Sequence, residues 1–275
     1  MNEIKMNEIK DLLITGSTNV KLSQWDPADT FNKNQEDLSL ELVKIFEIMS
    51  ELQYRLYIEN KKSLLIVLQG MDTSGKDGTI RHVIKAFNPV SCRVDSFKVP
   101  SDEEKAHDFL WRIHTKVPQK GFIEVFNRSH YEDIIEVGVQ NLLPKTIWSK
   151  RYEQINQFEK HLTENNVKIV KLFLYISKQE QKERLMERLS HPSKRWKVNE
   201  EDFEKRKKWN KYMQAYEEVL RRCSTQYAPW YIIPADKKWF RNWIIASIIT
   251  KVLQEMKIRY PKYTPLKNIP SSTHK

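Results

Sequence analysis

The chain is poor in cysteine, in glycine and in long apolar runs. Its two cysteines, Cys92 and Cys223, lie far apart without metal-ligand spacing, which excludes a zinc framework and a disulfide scaffold. Two scattered thiols fit a reducing compartment, so a cytoplasmic location is expected. The N-terminal stretch lacks the apolar core of a secretory signal. It is polar and duplicated, MNEIKMNEIK, and too short for a structural repeat. The most apolar late stretch, WIIASIITKVL, is interrupted by Ser247, Thr250 and Lys251. It is too short to span a bilayer and reads as a packed helix.

What the chain does have is charge. Lys and Arg number 47 against 36 Asp and Glu, a net +11, and 30% of all residues are charged. Such a balance calls for an anionic partner: nucleic acid, an acidic membrane surface or a phosphate-rich small substrate. Charge alone does not choose among them. With 275 residues, 40% of them hydrophobic, the chain can bury a sizeable core.

Hydrophobic spacing orders the elements. Residues 1–35 are polar and irregular, an arm or wrapping segment. From Glu36 to Lys61, Leu38, Val43, Phe46, Met49, Leu52 and Leu56 recur at helical spacing. SLLIVLQ then reads as a strand buried on both faces, as a parallel sheet requires. Further strands are expected at 92–99, 121–127, in VKIVKLFLYIS and in PWYIIPA. Helices are expected at about 102–115, after Arg128, at 148–164, in KQEQKERLMERL, at 200–222 and at 238–257. This alternation predicts an α/β fold with a parallel five-stranded sheet flanked by helices. A single domain over 36–260 is expected, with a basic helical lid at about 191–222 and a loosely ordered tail at 261–275.

The residues LQGMDTSGKDGTI hold the chemistry. Gly70, Gly75 and Lys76 fit G-x-x-x-x-G-K between a strand and a helix, where backbone N–H groups, a helix N-terminus and a lysine converge on phosphate oxygens. Thr73, Ser74, Gly78, Thr79 and Arg81 extend the candidate phosphate- and nucleotide-binding set. Asp72 and Asp77 would repel bare phosphate, but they make sense if Mg²⁺ lies between carboxylate and phosphate. For Asp77 a carboxylate favoured by the helix dipole is an equal reading. The third strand ends in Asn127, a neutral oxygen ligand, followed by Arg128, suited to neutralising a transferring phosphoryl group. With a helix starting near Arg128, Glu132 would face the same side, as a salt-bridge partner or as part of the site. In HPSKRWKV, the cations Lys194, Arg195 and Lys197 are candidates for gripping an anionic substrate. Trp196 would stack on a base or anchor the lid. The charged helix after it reads as a solvated face. His107 and His130 read as structural or substrate-orienting, and no nucleophile arrangement suggests covalent catalysis.

Six segments, LQGMDTSGKDGTIRHV, SFKVPSDEEKAHDFLWRIH, FNRSHYEDI, ISKQEQKERL, KRWKV and STQYAPWYIIPADKKWFRNW, together resemble the second family of polyphosphate kinases. The resemblance runs in order over roughly residues 20–258. It implies a P-loop kinase fold similar to nucleotide kinases, and Mg²⁺-dependent phosphoryl transfer from inorganic polyphosphate to ADP and AMP, forming ATP. Mn²⁺ would be able to substitute. It implies Asp72, Lys76, Asn127, Arg128 and Glu132 as catalytic residues, with Asp72, Asn127 and Glu132 toward the metal. Tyr131 joins the nucleotide-binding candidates. Asp77 stands where other branches carry Gly, and the Asn127 form resembles the branch that accepts both mono- and diphosphates. A homo-oligomer is implied, with no nucleic-acid or membrane partner. The alternatives are an ATP-dependent nucleoside or nucleotide kinase of the same fold and, last, a nucleic-acid binder.

Overall fold

A computed structural model describes residues 6–14 and 19–262. Its centre is a six-stranded sheet: β1 (Leu13–Ile14), β2 (Ser63–Gln69), β3 (Cys92–Ser96), β4 (Ile123–Asn127), β5 (Val167–Tyr175) and β6 (Trp230–Pro234). The order is β1-β6-β5-β2-β4-β3. The five longer strands run parallel, as expected. The sixth, β1, comes from the N-terminal arm and pairs antiparallel with β6 through Leu13↔Tyr231 and Ile14↔Trp230. Ile9, Leu12, Ile14, Val20 and Leu22 bury in this arm, so it wraps onto the sheet edge.

Every residue of β2 is buried, and the strand's period of two divides its side chains between two cores. Leu64, Ile66 and Leu68 enter one core and Leu65 and Val67 the other. In chain order the helices are α1 (Met6–Asp11), α2 (Gln35–Glu59), α3 (Lys76–His82), α4 (Asp102–Ala106), α5 (Trp111–His114) and α6 (Glu132–Gln140). They continue with α7 (Lys145–Trp148), α8 (Arg151–Glu164), α9 (Lys178–Ser190), α10 (Glu200–Lys207), α11 (Trp209–Cys223) and α12 (Lys238–Glu255). α2, α3 and α12 cover one face, and α6, α8 and α11 the other. The apolar stretch at 243–253 packs within α12, where Ser247 and Thr250 satisfy their hydroxyls on the Trp243 and Ala246 carbonyls.

Local chemistry sets the boundaries. Asn34 caps α2 by accepting from the Asp37 N–H, and Asn60 closes it in the left-handed conformation at φ 50°. The single helix expected at 102–115 is two. A Ser101–Glu104 capping box starts α4, and Asp108 accepts from Leu110 N–H to begin a new turn before α5. The helix expected at 200–222 is divided at Lys208 into α10 and α11. The tail expected beyond 260 lies, from 263 on, outside the described residues. Because β3 and β4 lie to one side of β2 and β5 to the other, a crevice opens at the carboxyl ends of β2 and β4.

Candidate active site

β2 leads directly into loop 70–75, and α3 starts at Lys76. Two glycines are required by their surroundings. Gly70 has φ +150°, and a β-carbon there would lie 2.7 Å from the Leu174 carbonyl oxygen. Gly75 has φ +110°, and its β-carbon would lie 1.8 Å from Arg241 Nη1. Lys76 folds back on the loop, its Nζ donating to the Gly70 and Met71 carbonyls at 2.6 and 3.2 Å. Arg184 of α9 grips the loop as well, Nη1 donating to Thr73 O at 3.0 Å and Ser74 O at 3.1 Å. Thr79 donates to Gly75 O at 3.1 Å. The Thr73 and Ser74 hydroxyls are buried with no hydrogen-bond partner among the described residues, and Thr73 lines the cleft.

That cleft has a volume of about 550 Å³. The loop supplies Asp72, the start of α3 supplies Lys76, Asp77 and Gly78, the end of β4 and the segments after β3 and β4 supply Lys98, Asn127 and Arg128, and the lid side supplies Arg188, Trp196 and Asp202. Arg128 Nη2 donates to Asp72 Oδ1 at 2.6 Å, and Asn127 Nδ2 donates to Asp77 Oδ1 at 2.9 Å. These two bonds tie the end of β4 to the loop and to the first turn of α3. Burial pushes the Asp72 carboxyl up, but Lys76, Arg128 and Lys205 together outweigh it and hold the group down to about 2. Burial lowers the Lys76 ammonium, opposed chiefly by Asp72.

Arg128 and Glu132 do not share a helical face as expected. Arg128 adopts φ +63°, which turns the chain, and α6 begins only at Glu132. The guanidinium therefore pairs with Asp72 instead. Glu132 stands outside the cleft lining, though its charge couples to the site. Burial raises its carboxyl, Arg128 pulls it down, and Glu136 pushes it up.

Several other residues fall elsewhere. Tyr131 is fully buried on the sheet's far side, its hydroxyl donating to Glu159 Oε1 at 2.8 Å and accepting from Lys171 Nζ at 2.8 Å. Its neighbours in sequence reverse direction at Arg128, which turns the tyrosine into the core. His130 shares this cluster, 3.2 Å from Glu159 Oε1. Arg81 is exposed on the last turn of α3, away from the cleft. Lys194 pairs with Glu187 at 2.6 Å, and Arg195 Nε donates to Leu189 O at 2.8 Å, so neither lines the cleft. The Lys197 side chain lies outside the described residues.

The helix read as a solvated face carries an inward cation instead. Lys205 of α10 is 8% exposed, and its Nζ lies 2.8 Å from Glu136 Oε1, 3.1 Å from Glu201 Oε1 and 3.9 Å from Asp72 Oδ2. Lys98, Arg184, Arg188, Asp202, Lys205 and Arg241 were all missed by the sequence reading. Lys98, Arg184 and Arg241 do fall inside the SFKVPSDEEK, KQEQKERL and PADKKWFRNW segments. Nothing local marks Lys205 or Arg241 as inward-facing.

Residues 31–262 match the family model described as polyphosphate kinase 2. The chain belongs to this family. It is 46% identical over 244 residues to the AMP/ADP-polyphosphate phosphotransferase of Meiothermus ruber, covering 88% of this chain and 91% of that one. It is 40% identical over 259 residues to the ADP-polyphosphate phosphotransferase of Rhodopseudomonas palustris, covering 90% of each. The crystal structure of polyphosphate kinase 2 from Arthrobacter aurescens TC1 superposes with a TM-score of 0.88 at 39% identity, over 91% of this chain and 90% of that one. Among the described residues no helix is long and apolar enough to cross a membrane. None of their acidic, His and Cys side chains gather in threes to hold a metal ion.

Proposed function

We propose that this chain transfers phosphoryl groups from inorganic polyphosphate to ADP, forming ATP, and to AMP in the same site, reversibly. The observation that carries this reading is the Asp72–Arg128 pair at the mouth of a Lys76-bearing phosphate loop, in a polyphosphate kinase 2 chain. The Meiothermus ruber relative is named for both AMP and ADP, which supports the two acceptors.

The acceptor phosphate is already largely ionised at neutral pH, so positioning and charge neutralisation are the main tasks. The loop and Lys76 hold the terminal phosphoryl group. Arg128, kept in place by Asp72, neutralises its developing oxygens. Lys98 and Arg188 carry the neighbouring phosphates along the cleft wall. Lys194 and Arg195, which precede the cleft residue Trp196 in sequence, serve where a long polyanion leaves the site.

The donor set fits Mg²⁺, with Mn²⁺ able to take its place. Asp72 is ionised, and Asn127, by donating its amide to Asp77, keeps a carbonyl oxygen for a hard cation. Fewer than three acidic groups suit an ion that takes its remaining oxygens from phosphate and water. Bound there, Mg²⁺ would neutralise charge shared between donor and acceptor phosphates. Glu132 completes the proposed metal-side set by balancing Arg128 from behind. We take the working form to be a cytoplasmic homo-oligomer. The exposed Leu40, Val43, Tyr54 and Tyr57 stripe of α2 supports the self-association.

Phosphorus NMR tests the acceptor range. With Mg²⁺, polyphosphate and AMP, signals of ADP and then ATP should grow as polyphosphate shortens. Consumption of ATP on a nucleoside, with polyphosphate inert, would favour the ATP-dependent kinase instead.

A further inference from the structure

Behind the phosphate loop lies a charge that the reaction as described does not use. Arg241 of α12 is 3% exposed, and its guanidinium lies against the start of α3. A β-carbon on Gly75 would fall 1.8 Å from its Nη1, and one on Gly78 3.0 Å from its Nη2. Both glycines of the G-K-D-G stretch are thus shaped to this arginine. Its only hydrogen-bond acceptor among the described residues is its neighbour, Asn242 Oδ1, at 2.8 Å from Nη2 and 3.3 Å from Nε. No described carboxylate pairs with it.

The position is electrostatically adverse. A helix N-terminus carries partial positive charge, and a cation buried against it gains no dipole stabilisation. Arg184, which grips the Thr73 and Ser74 carbonyls, adds a second guanidinium nearby. Burial, and after it Arg184, together lower the Arg241 guanidinium to about 10. A guanidinium buried without a carboxylate partner is costly, and an apolar side chain of similar volume would pack there without that cost.

We propose that Arg241 is a positioning residue whose missing counter-charge is the phosphate bound in loop 70–75. In the free protein it is under-compensated. When an anionic phosphoryl chain enters the loop, the guanidinium acts on it through the thin wall left by Gly75 and Gly78. Binding energy for the polyanion is therefore coupled to a charge that never touches it. This inference rests on the phosphate-loop reading above.

The test uses the full chain, inorganic tripolyphosphate as the probe, and the variants Arg241→Met, Arg241→Gln and Arg241→Lys. Tripolyphosphate affinity is measured by calorimetry, with melting temperatures in its absence and presence. The expected result is that Arg241→Met melts no lower than wild type without ligand, yet binds tripolyphosphate about tenfold more weakly with a shallower salt dependence. Arg241→Lys should recover affinity. Arg241→Gln, which keeps the contact with Asn242, should behave as Arg241→Met and replaces it if that variant does not fold. A lower ligand-free melting temperature with unchanged affinity would overturn the proposal in favour of packing. Failure of wild type itself to bind tripolyphosphate would instead overturn the phosphate-loop reading.

Discussion

Arg128 and Asp72 meet at 2.6 Å across the crevice between the end of β4 and the phosphate loop. A left-handed residue after one strand and a loop carboxylate after another, 56 positions apart in sequence, form one charged unit. That unit fixes the guanidinium at the cleft and keeps the carboxylate ionised.

Asp72→Asn should therefore show two separable effects. Asp72 sits at about 2 against an ordinary 3.8. Its folded pKa is depressed, so its contribution is full above the ordinary value and is lost as pH falls through about 2. The shift corresponds to about 2 kcal/mol. Denaturant titrations should find the variant less stable than wild type by that order at pH 7, with the difference closing in acid. Turnover at pH 7 should fall about 100-fold or more, because Arg128 loses its anchor. Equal stability at pH 7 would contradict the pairing.

Lys76→Ala should lose at least about two orders of magnitude in kcat. Steady-state kinetics with polyphosphate and ADP checks this, alongside circular dichroism to verify the fold. Near-normal turnover would remove Lys76 from the mechanism.

Lys205→Met bears on how α10 is held over the loop. The lysine joins Asp72, Glu136 and Glu201, while Glu136 also accepts from the Tyr212 hydroxyl at 2.8 Å. With the lysine gone, α10 loses its tie to the loop, and KM for polyphosphate should rise more than kcat falls. An unchanged KM would return the lysine to a purely structural part.

Much of this was legible in the sequence, and the rest was not for identifiable reasons. Four of the five parallel strands announced themselves by runs of buried apolar residues, whereas β3, none of whose residues is buried, showed only through the alternation of strands and helices. The loop announced itself because its glycines and lysine have fixed spacing. β1 has two residues, too few for any period, and its partner Trp230–Tyr231 lies more than 200 positions away. Lys205 sits on a helix whose charges look solvated and Arg241 just before the apolar stretch of α12, and only tertiary packing turns them inward. Tyr131 looked like part of the site through its neighbours Arg128 and Glu132. The turn at Arg128 sends it instead to Glu159 and Lys171.

Glu124 on β4 offers a test away from the site. Burial, and then Asp95, push its carboxyl up to about 8, and its Oε1 has no hydrogen-bond partner. A raised carboxyl contributes stability that is complete below its ordinary value of 4.5 and is lost as pH climbs through about 8. Melting curves should show wild type falling relative to Glu124→Gln across that interval. Parallel curves would mean that Glu124 is ionised throughout.

The most direct measurement is ATP formation, read by luciferase, from pure protein, Mg²⁺, ADP and long-chain polyphosphate, with ADP alone as the control for adenylate kinase activity. ATP should appear only with polyphosphate and be abolished by Lys76→Ala. No polyphosphate-dependent ATP from folded protein that binds ADP would contradict the proposed transfer.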